Sequence, residues 1–178
     1  MNDEQTVDDA TFQVATSAIP ASEVEVRSVE AREIGALIVP WDEVVDTPIG
    51  LESFQRGSFA HIDAQNVVLR LGHEGPPVGK GISIEERADG PHMVFRVSKT
   101  QRGDEALELA RDGVTRHVSI EYAPRTSQST VENRGGKRVT RVTKADLRGV
   151  ATTYLPYYDR AAVTYVRSVQ EGDAPMSG

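Results

Sequence analysis

The stretch RGDEALELARDGVTRHVSIEYAP, residues 102–124, carries the strongest structural signals in the chain. Ala106, Leu107 and Ala110 recur at helical spacing, acidic residues crowd the first turn, and Gly113 marks the end of the pattern. An apolar run closed by a proline follows at once and predicts a strand. The stretch therefore predicts a helix, a glycine turn and a strand in immediate succession.

On both sides of this stretch, short strand-like runs alternate with turn signals. The runs predicted as strands or hairpins are EIGALIVP, NVVLRL, GKGISIEERADGPHMVFRV, STVENRGGKRVTRVT and KADLRGVATTYL. The segment DTPIGLESFQRGSFA is predicted to be loop and turn. Many strands and one clear helix predict a mostly β fold with a few helices, arranged as an antiparallel barrel or sandwich.

The length of 178 residues is sufficient for one domain with a buried core. Residues 1–25 are acidic and poor in large apolar side chains, so we expect a disordered arm there. Residues 26–169 are predicted to form the domain, and residues 170–178 a flexible tail.

Composition excludes several classes of function. The formal net charge of −7 argues against a protein steered to nucleic acid by a basic surface. With no cysteine, the chain has no disulfide, no thiolate zinc site and no thiol nucleophile. No apolar stretch is long enough to span a membrane, and neither a two-histidine zinc helix nor a glycine-rich phosphate loop is present. We therefore expect no cofactor, no metal and no nucleic-acid or membrane partner.

The remaining chemistry rests on four histidines and many serines. Without cysteine, a serine nucleophile with a histidine base is the covalent mechanism to test. His73 ends a predicted strand before a rigid Gly-Pro turn, and the alternative is an ordinary exposed turn histidine. His117 lies two residues before Ser119, on the same strand face, and either neighbours that serine or is half-buried in the strand. His61 and His92 are interpreted as surface residues.

The segments GALIVPWDEV, ESFQRGSFA, VVLRLGHEGPPVGKG and ALELARDGVTRHVSIEY follow one another between about Val26 and Arg167. Together they resemble the prohead serine proteases of tailed bacteriophages, also called capsid maturation proteases. The second is similar to that family's E-x-F-x-x-G-A-F segment. The third resembles its apolar strand followed by His-Asp, with Glu74 in place of the aspartate, and the fourth resembles its helix, glycine and nucleophile strand.

This resemblance implies a fold, a reaction and two catalytic residues. The family is distantly related to the herpesvirus assembly proteases, which implies a closed antiparallel β-barrel ringed by helices. Ser119 falls on the family's nucleophile and His73 on its catalytic histidine. The strand and rigid turn before and after His73 are then expected to aim it at Ser119.

The third catalytic residue departs from the family pattern. The family commonly reads D-L-x-E-V-S, with the acid as third member, whereas this chain reads D-L-R-G-V-A and has Gly149 at that position. Glu121 also replaces a glycine of the family's S-F-G-F run. Either another group orients His73, or Ser119 and His73 work as a dyad, or the copy is impaired. The nearest acid is Asp146, although strand alternation points it away from the face of residue 149. If Gly149 occupies the third position, Gly149→Glu is expected to raise activity, or at least not to destroy it.

The function implied by the resemblance is a serine endopeptidase of phage prohead maturation. Its expected substrates are the scaffold and the major capsid protein, inside the procapsid in the host cytoplasm. Self-cleavage and a homo-oligomer are both left open. Two alternatives remain: an impaired homologue that acts as a capsid-assembly or scaffold protein, for which Gly149 is the best support, and a host protein of prophage origin with another substrate.

Overall fold

The computed structural model describes residues 13–17, 31–154, 158 and 160–167, which form two β-sheets with one α-helix and one short 3-10 helix. The strands are β1 Gln13–Ser17, β2 Glu33–Leu37, β3 Val45–Thr47, β4 Gly50–Phe54, β5 Val68–Leu71, β6 Gly79–Glu86, β7 Pro91–Val97, β8 His117–Tyr122, β9 Gln128–Arg134, β10 Lys137–Lys144, β11 Leu147–Thr153 and β12 Val163–Arg167. The 3-10 helix is Ala64–Asn66, and α1 is Gln101–Arg111.

The larger sheet has eight strands in the order β1-β8-β11-β5-β6-β7-β2-β12. The smaller has four, in the order β3-β4-β10-β9. Most neighbours are antiparallel, but β11 runs parallel to β5 and β10 runs parallel to β4. The prediction of a mostly β fold is confirmed, with a single α-helix among the described residues.

The predicted closed antiparallel barrel is wrong. The eight-stranded sheet curls until β8, its second strand, meets the chain just before β12, its last strand, at the isolated bridge between His117 and Ala162. No further pairing between β8 and β12 is present in the described residues. The reason lies at the edge of β8, where Gln13–Ser17 pairs antiparallel with the strand from Val118 to Tyr122. Because β1 occupies those backbone groups, they are not open to β12. Two parallel strand pairs also distinguish the fold from an all-antiparallel barrel.

The helix and both long hairpins form where the sequence predicts them. Thr100 caps α1 by accepting a hydrogen bond from the Gly103 N–H at 3.1 Å, and Ala106, Leu107 and Ala110 are its buried apolar residues. β6–β7 and β9–β10 are the two hairpins. One local prediction is wrong: the segment interpreted as loop and turn contains β4 and the last two residues of β3.

The predicted disordered arm and tail fall mostly outside the described residues. Gln13–Ser17 forms β1 within the arm, so a strand is present where the sequence predicts disorder. The tail of residues 170–178 lies entirely outside the described residues.

The hydrophobic core lies on one face of β8, the strand that contains Ser119. Val118, Ile120 and Tyr122 belong to the main apolar cluster, as do Leu69 of β5 and Val150 of β11. Because side chains alternate along a strand, residues 117, 119 and 121 of β8 project from the opposite face of the sheet. That second face carries the candidate site.

Candidate functional site

Ser119 lies in the middle of β8 and has no solvent-exposed surface. Its backbone pairs with Ala151 of β11. Among the described residues its hydroxyl has no hydrogen-bond partner. A buried hydroxyl without a partner carries a desolvation cost of about 1–3 kcal/mol. Such a group calls for an explanation, and one explanation is a functional role.

His73 follows β5 in a short loop that glycines and one backbone hydrogen bond define. The Gly72 N–H donates to the carbonyl of Thr152 at 2.9 Å, which fastens the loop to β11. Gly72 and Gly75 have φ angles of 66° and 87°, a left-handed conformation that favours glycine. The His73 side chain is 32% exposed, and its Nδ1 lies 3.3 Å from Glu121 Oε1. The loop thus turns His73 back over the sheet toward β8.

The carboxylate that meets His73 has a second partner. Arg70 of β5 donates from Nε to Glu121 Oε2 at 3.1 Å and from Nη1 to the Gly75 carbonyl at 2.6 Å. One arginine therefore holds both the carboxylate and the loop that bears the histidine. The sequence prediction named His73 but missed Glu121 as its partner and Arg70 as the residue that holds Glu121.

Residue 149 is a glycine directly opposite Glu121 in the β8–β11 pair. A Cβ atom built on Gly149 would lie 2.7 Å from Glu121 Oε2. The Glu121 carboxylate therefore occupies the space above residue 149, which only a glycine leaves free.

Asp146, proposed from the sequence as the substitute acid, has other partners. Arg148 donates to its carboxylate at 2.6 Å, and the Thr126 hydroxyl donates to the same oxygen. These hydrogen bonds hold the pKa of Asp146 below its usual value. The structure gives Asp146 no contact with His73 and instead brings Glu121 to that ring.

The other three histidines differ in their surroundings. His117 shares the face of Ser119, as predicted, and is buried. Its Nε2 lies 3.2 Å from the Arg116 Nε and accepts its hydrogen bond. His92 has Nε2 at 3.1 Å from both carboxylate oxygens of Asp89, and His61 is exposed.

Glu52, in the segment ESFQRGSFA, is a buried carboxyl on the other side of β8. The Tyr122 hydroxyl donates to Glu52 Oε2, so β4 of the small sheet is tied to the strand that carries Ser119. Burial raises the pKa of Glu52 from 4.5 to about 7, and the hydrogen bond from Tyr122 opposes part of that rise. Burial also raises the pKa of the nearby Tyr158 well above its usual value. This part of the resemblance thus falls on a residue that is hydrogen-bonded to the strand that carries Ser119.

The described part of the chain holds no cluster of side chains suited to a metal ion. Within the same residues, no helix has the length and apolar character needed to cross a bilayer.

Comparison with known proteins identifies the family. A model of the caudovirus prohead serine proteases matches residues 22–175. The chain belongs to the caudovirus prohead serine protease family. Among solved structures, it is similar to the capsid assembly protease gp21 of bacteriophage T4, with a TM-score of 0.47 and 12% identity over 76% of this chain and 97% of that chain. No curated protein matches the sequence.

Proposed function

We propose that this prohead protease family member is an active endopeptidase with Ser119 as nucleophile and His73 as general base. Its expected substrates are scaffold and capsid proteins inside the procapsid. The observation that carries the proposal is the buried, unpartnered Ser119 hydroxyl on the sheet face over which His73 is fastened. Family membership supports the reaction class, and the geometry supports these two residues.

The reaction follows from the two side chains. Ser119 Oγ forms a bond to the carbonyl carbon of the peptide, the carbonyl π electrons move to oxygen, and the hydroxyl proton passes to His73 Nε2. When the C–N bond breaks, the same proton goes to the leaving amine. Water then attacks the carbonyl carbon of the acyl-serine, with the histidine again as base. When the ester C–O bond breaks, the acid product leaves and Ser119 Oγ takes the proton back from His73. Proton transfer of this kind contributes about 10²–10⁴-fold to the rate.

In this state, Ser119 has no hydrogen bond to His73 among the described residues and no exposed surface. Catalytic hydrogen bonds are often long before substrate binds. Because Ser119 is fully buried, substrate must also displace the groups that shield its hydroxyl from solvent. The absence of a hydrogen bond between Ser119 and His73, together with Gly149 at the expected acid position, favours the second candidate function. That function is a non-catalytic assembly or scaffold protein with the same fold.

A fluorophosphonate probe separates the two functions. Ser119 Oγ would form a bond to phosphorus with loss of fluoride, and peptide mapping by mass spectrometry locates the adduct. We expect an adduct on Ser119 in the full chain and none in Ser119→Ala or His73→Ala. Ser58→Ala is the matched control, because Ser58 is equally buried and its hydroxyl also lacks a partner among the described residues. No adduct on Ser119 in the unmodified chain would favour the assembly function.

A further inference from the structure

The carboxylate of Glu121 occupies the place of a side chain at position 149. The two residues are direct partners across β8 and β11, and a Cβ on Gly149 would come within 2.7 Å of Glu121 Oε2. Paired residues in neighbouring strands present their side chains on the same face of a sheet. A carboxylate that starts from residue 121 can therefore reach the same spot as one that starts from residue 149.

Two donors hold this carboxylate in place, one at each oxygen. Oε1 lies 3.3 Å from His73 Nδ1, and Oε2 accepts from Arg70 Nε at 3.1 Å. The Glu121 side chain is only 10% exposed, so both contacts lie where water competes little. Arg70 also binds the Gly75 carbonyl, which fixes the histidine loop relative to the same carboxylate.

The contact at Oε1 selects one form of the imidazole ring. A carboxylate accepts but does not donate, so a neutral His73 carries its proton on Nδ1 and points it at Glu121. The Nε2 atom then has a free lone pair, as a base must. Glu121 also lies two residues from Ser119 on the same strand face, so the ring that it holds stands over the nucleophile strand.

We infer that Glu121 is the positioning residue that orients His73, and that it supplies from β8 the acid that Gly149 lacks on β11. This inference rests on the proposed function of Ser119 and His73. The acid would then be relocated rather than lost. The pattern that the chain resembles has glycine at position 121 and glutamate at position 149, and this chain has the reverse.

Two other acids stand near enough in sequence to compete for the role. Asp146 is engaged by Arg148 and Thr126. Glu74 is adjacent to His73 but exposed. Of the acids in the described residues, Glu121 has the contact with His73 Nδ1.

The first test is the rate at which a fluorophosphonate modifies Ser119. In Glu121→Gln we expect that rate to fall by up to about 10⁴-fold, the loss seen when the orienting acid of a triad is replaced by its amide. Glu74→Gln is the matched control, because it removes the same charge beside His73 without removing a contact, and its rate should stay within about threefold of the unmodified chain. A rate for Glu121→Gln as high as that of the control would overturn the inference. The proposed function would survive that result if Ser119→Ala and His73→Ala still abolish labelling.

The second test needs no variant at Glu121 and measures the tautomer directly. Nitrogen-15 NMR of the histidine-labelled chain, assigned with His73→Ala, distinguishes protonated from bare ring nitrogens. We expect the neutral ring of His73 to carry its proton on Nδ1, whether or not the enzyme is active. A neutral ring protonated on Nε2 would contradict a positioning role for Glu121.

The third test moves the acid back across the strand pair. Glu121→Gly alone should lose labelling as Glu121→Gln does, and the double variant Glu121→Gly with Gly149→Glu should regain at least tenfold of it. The regained rate would show that what matters is a carboxylate at this spot. No recovery in a double variant that keeps the cooperative thermal transition of the parent chain would contradict the exchange.

Discussion

The buried carboxyl of Glu52 is expected to make the free energy of unfolding depend on pH. Burial raises its pKa from 4.5 to about 7, so the folded chain holds a proton that the unfolded chain has already released across this window. Stability therefore falls as pH rises from 4.5 to about 7 and stays at the lower level above that. The difference between the two pKa values corresponds to about 3 kcal/mol.

Glu52→Gln isolates this contribution, since glutamine keeps a neutral acceptor for the Tyr122 hydroxyl. Denaturant unfolding followed by the fluorescence of Trp41 would give the free energy of unfolding from pH 4.5 to pH 8. From pH 4.5 to pH 8, the free energy of unfolding of the unmodified chain should fall by about 3 kcal/mol more than that of the variant. Other carboxyl groups titrate in both proteins and cancel in the difference.

Glu132→Gln is the control with the opposite sign. Hydrogen bonds from Arg134 and Arg141 lower the pKa of Glu132, so its contribution to stability is present at neutral pH and is lost as the pH falls into the acid range. A stability difference for Glu52→Gln that does not change with pH would refute the argument that Glu52 is buried with its proton.

Three further predictions follow from the site and the helix. Gly149→Glu alone should slow fluorophosphonate labelling, because its Cβ would lie 2.7 Å from Glu121 Oε2; a faster rate would support the expectation from sequence that position 149 simply lacks an acid. Arg70→Met should slow the same labelling by at least tenfold, because it releases both Glu121 and the Gly75 carbonyl; an unchanged rate would mean that the loop holds without it. Thr100→Ala should cost about 1 kcal/mol in denaturant unfolding through loss of the helix cap, and no cost would mean that the cap is not needed.

The effect of the substitution Ser119→Ala on stability can also be predicted. Because the Ser119 hydroxyl has no partner in the described residues, its removal is expected to leave the free energy of unfolding unchanged or raised by about 1–3 kcal/mol. A hydroxyl with one hydrogen bond would instead cost about 1 kcal/mol when removed. A thermal scan of the variant beside the unmodified chain distinguishes these, and a clear loss of stability would indicate that the hydroxyl is hydrogen-bonded in solution.

The local elements were predictable because their signals are local. The apolar spacing that predicts α1 and the glycine turn that predicts each hairpin each fall within a few consecutive residues. β3 and β4 escaped prediction because β3 has only three residues and β4 pairs in parallel with β10, some 90 positions further along. Short strands with distant partners take their stability from packing and carry little sequence signal.

The candidate site was predictable in part for the same reason. Ser119 and His73 each occupy a recognisable strand context, and alternation along β8 already places residue 121 on the face of Ser119. What the sequence could not supply is the register that sets Glu121 against Gly149, since that pairing joins strands with no short connection. The prediction of a closed barrel was wrong for a similar reason, because it did not include the pairing of Gln13–Ser17 with the edge of β8.

The most direct test of the central claim is proteolysis of the natural substrate class. The full chain would be co-expressed with the capsid protein and scaffold of its own phage, and the masses of all products measured. We predict discrete truncated products with the unmodified chain and with Ser58→Ala, and only full-length proteins with Ser119→Ala or His73→Ala. The same truncated products in the presence of Ser119→Ala would contradict the assignment of Ser119 as the nucleophile.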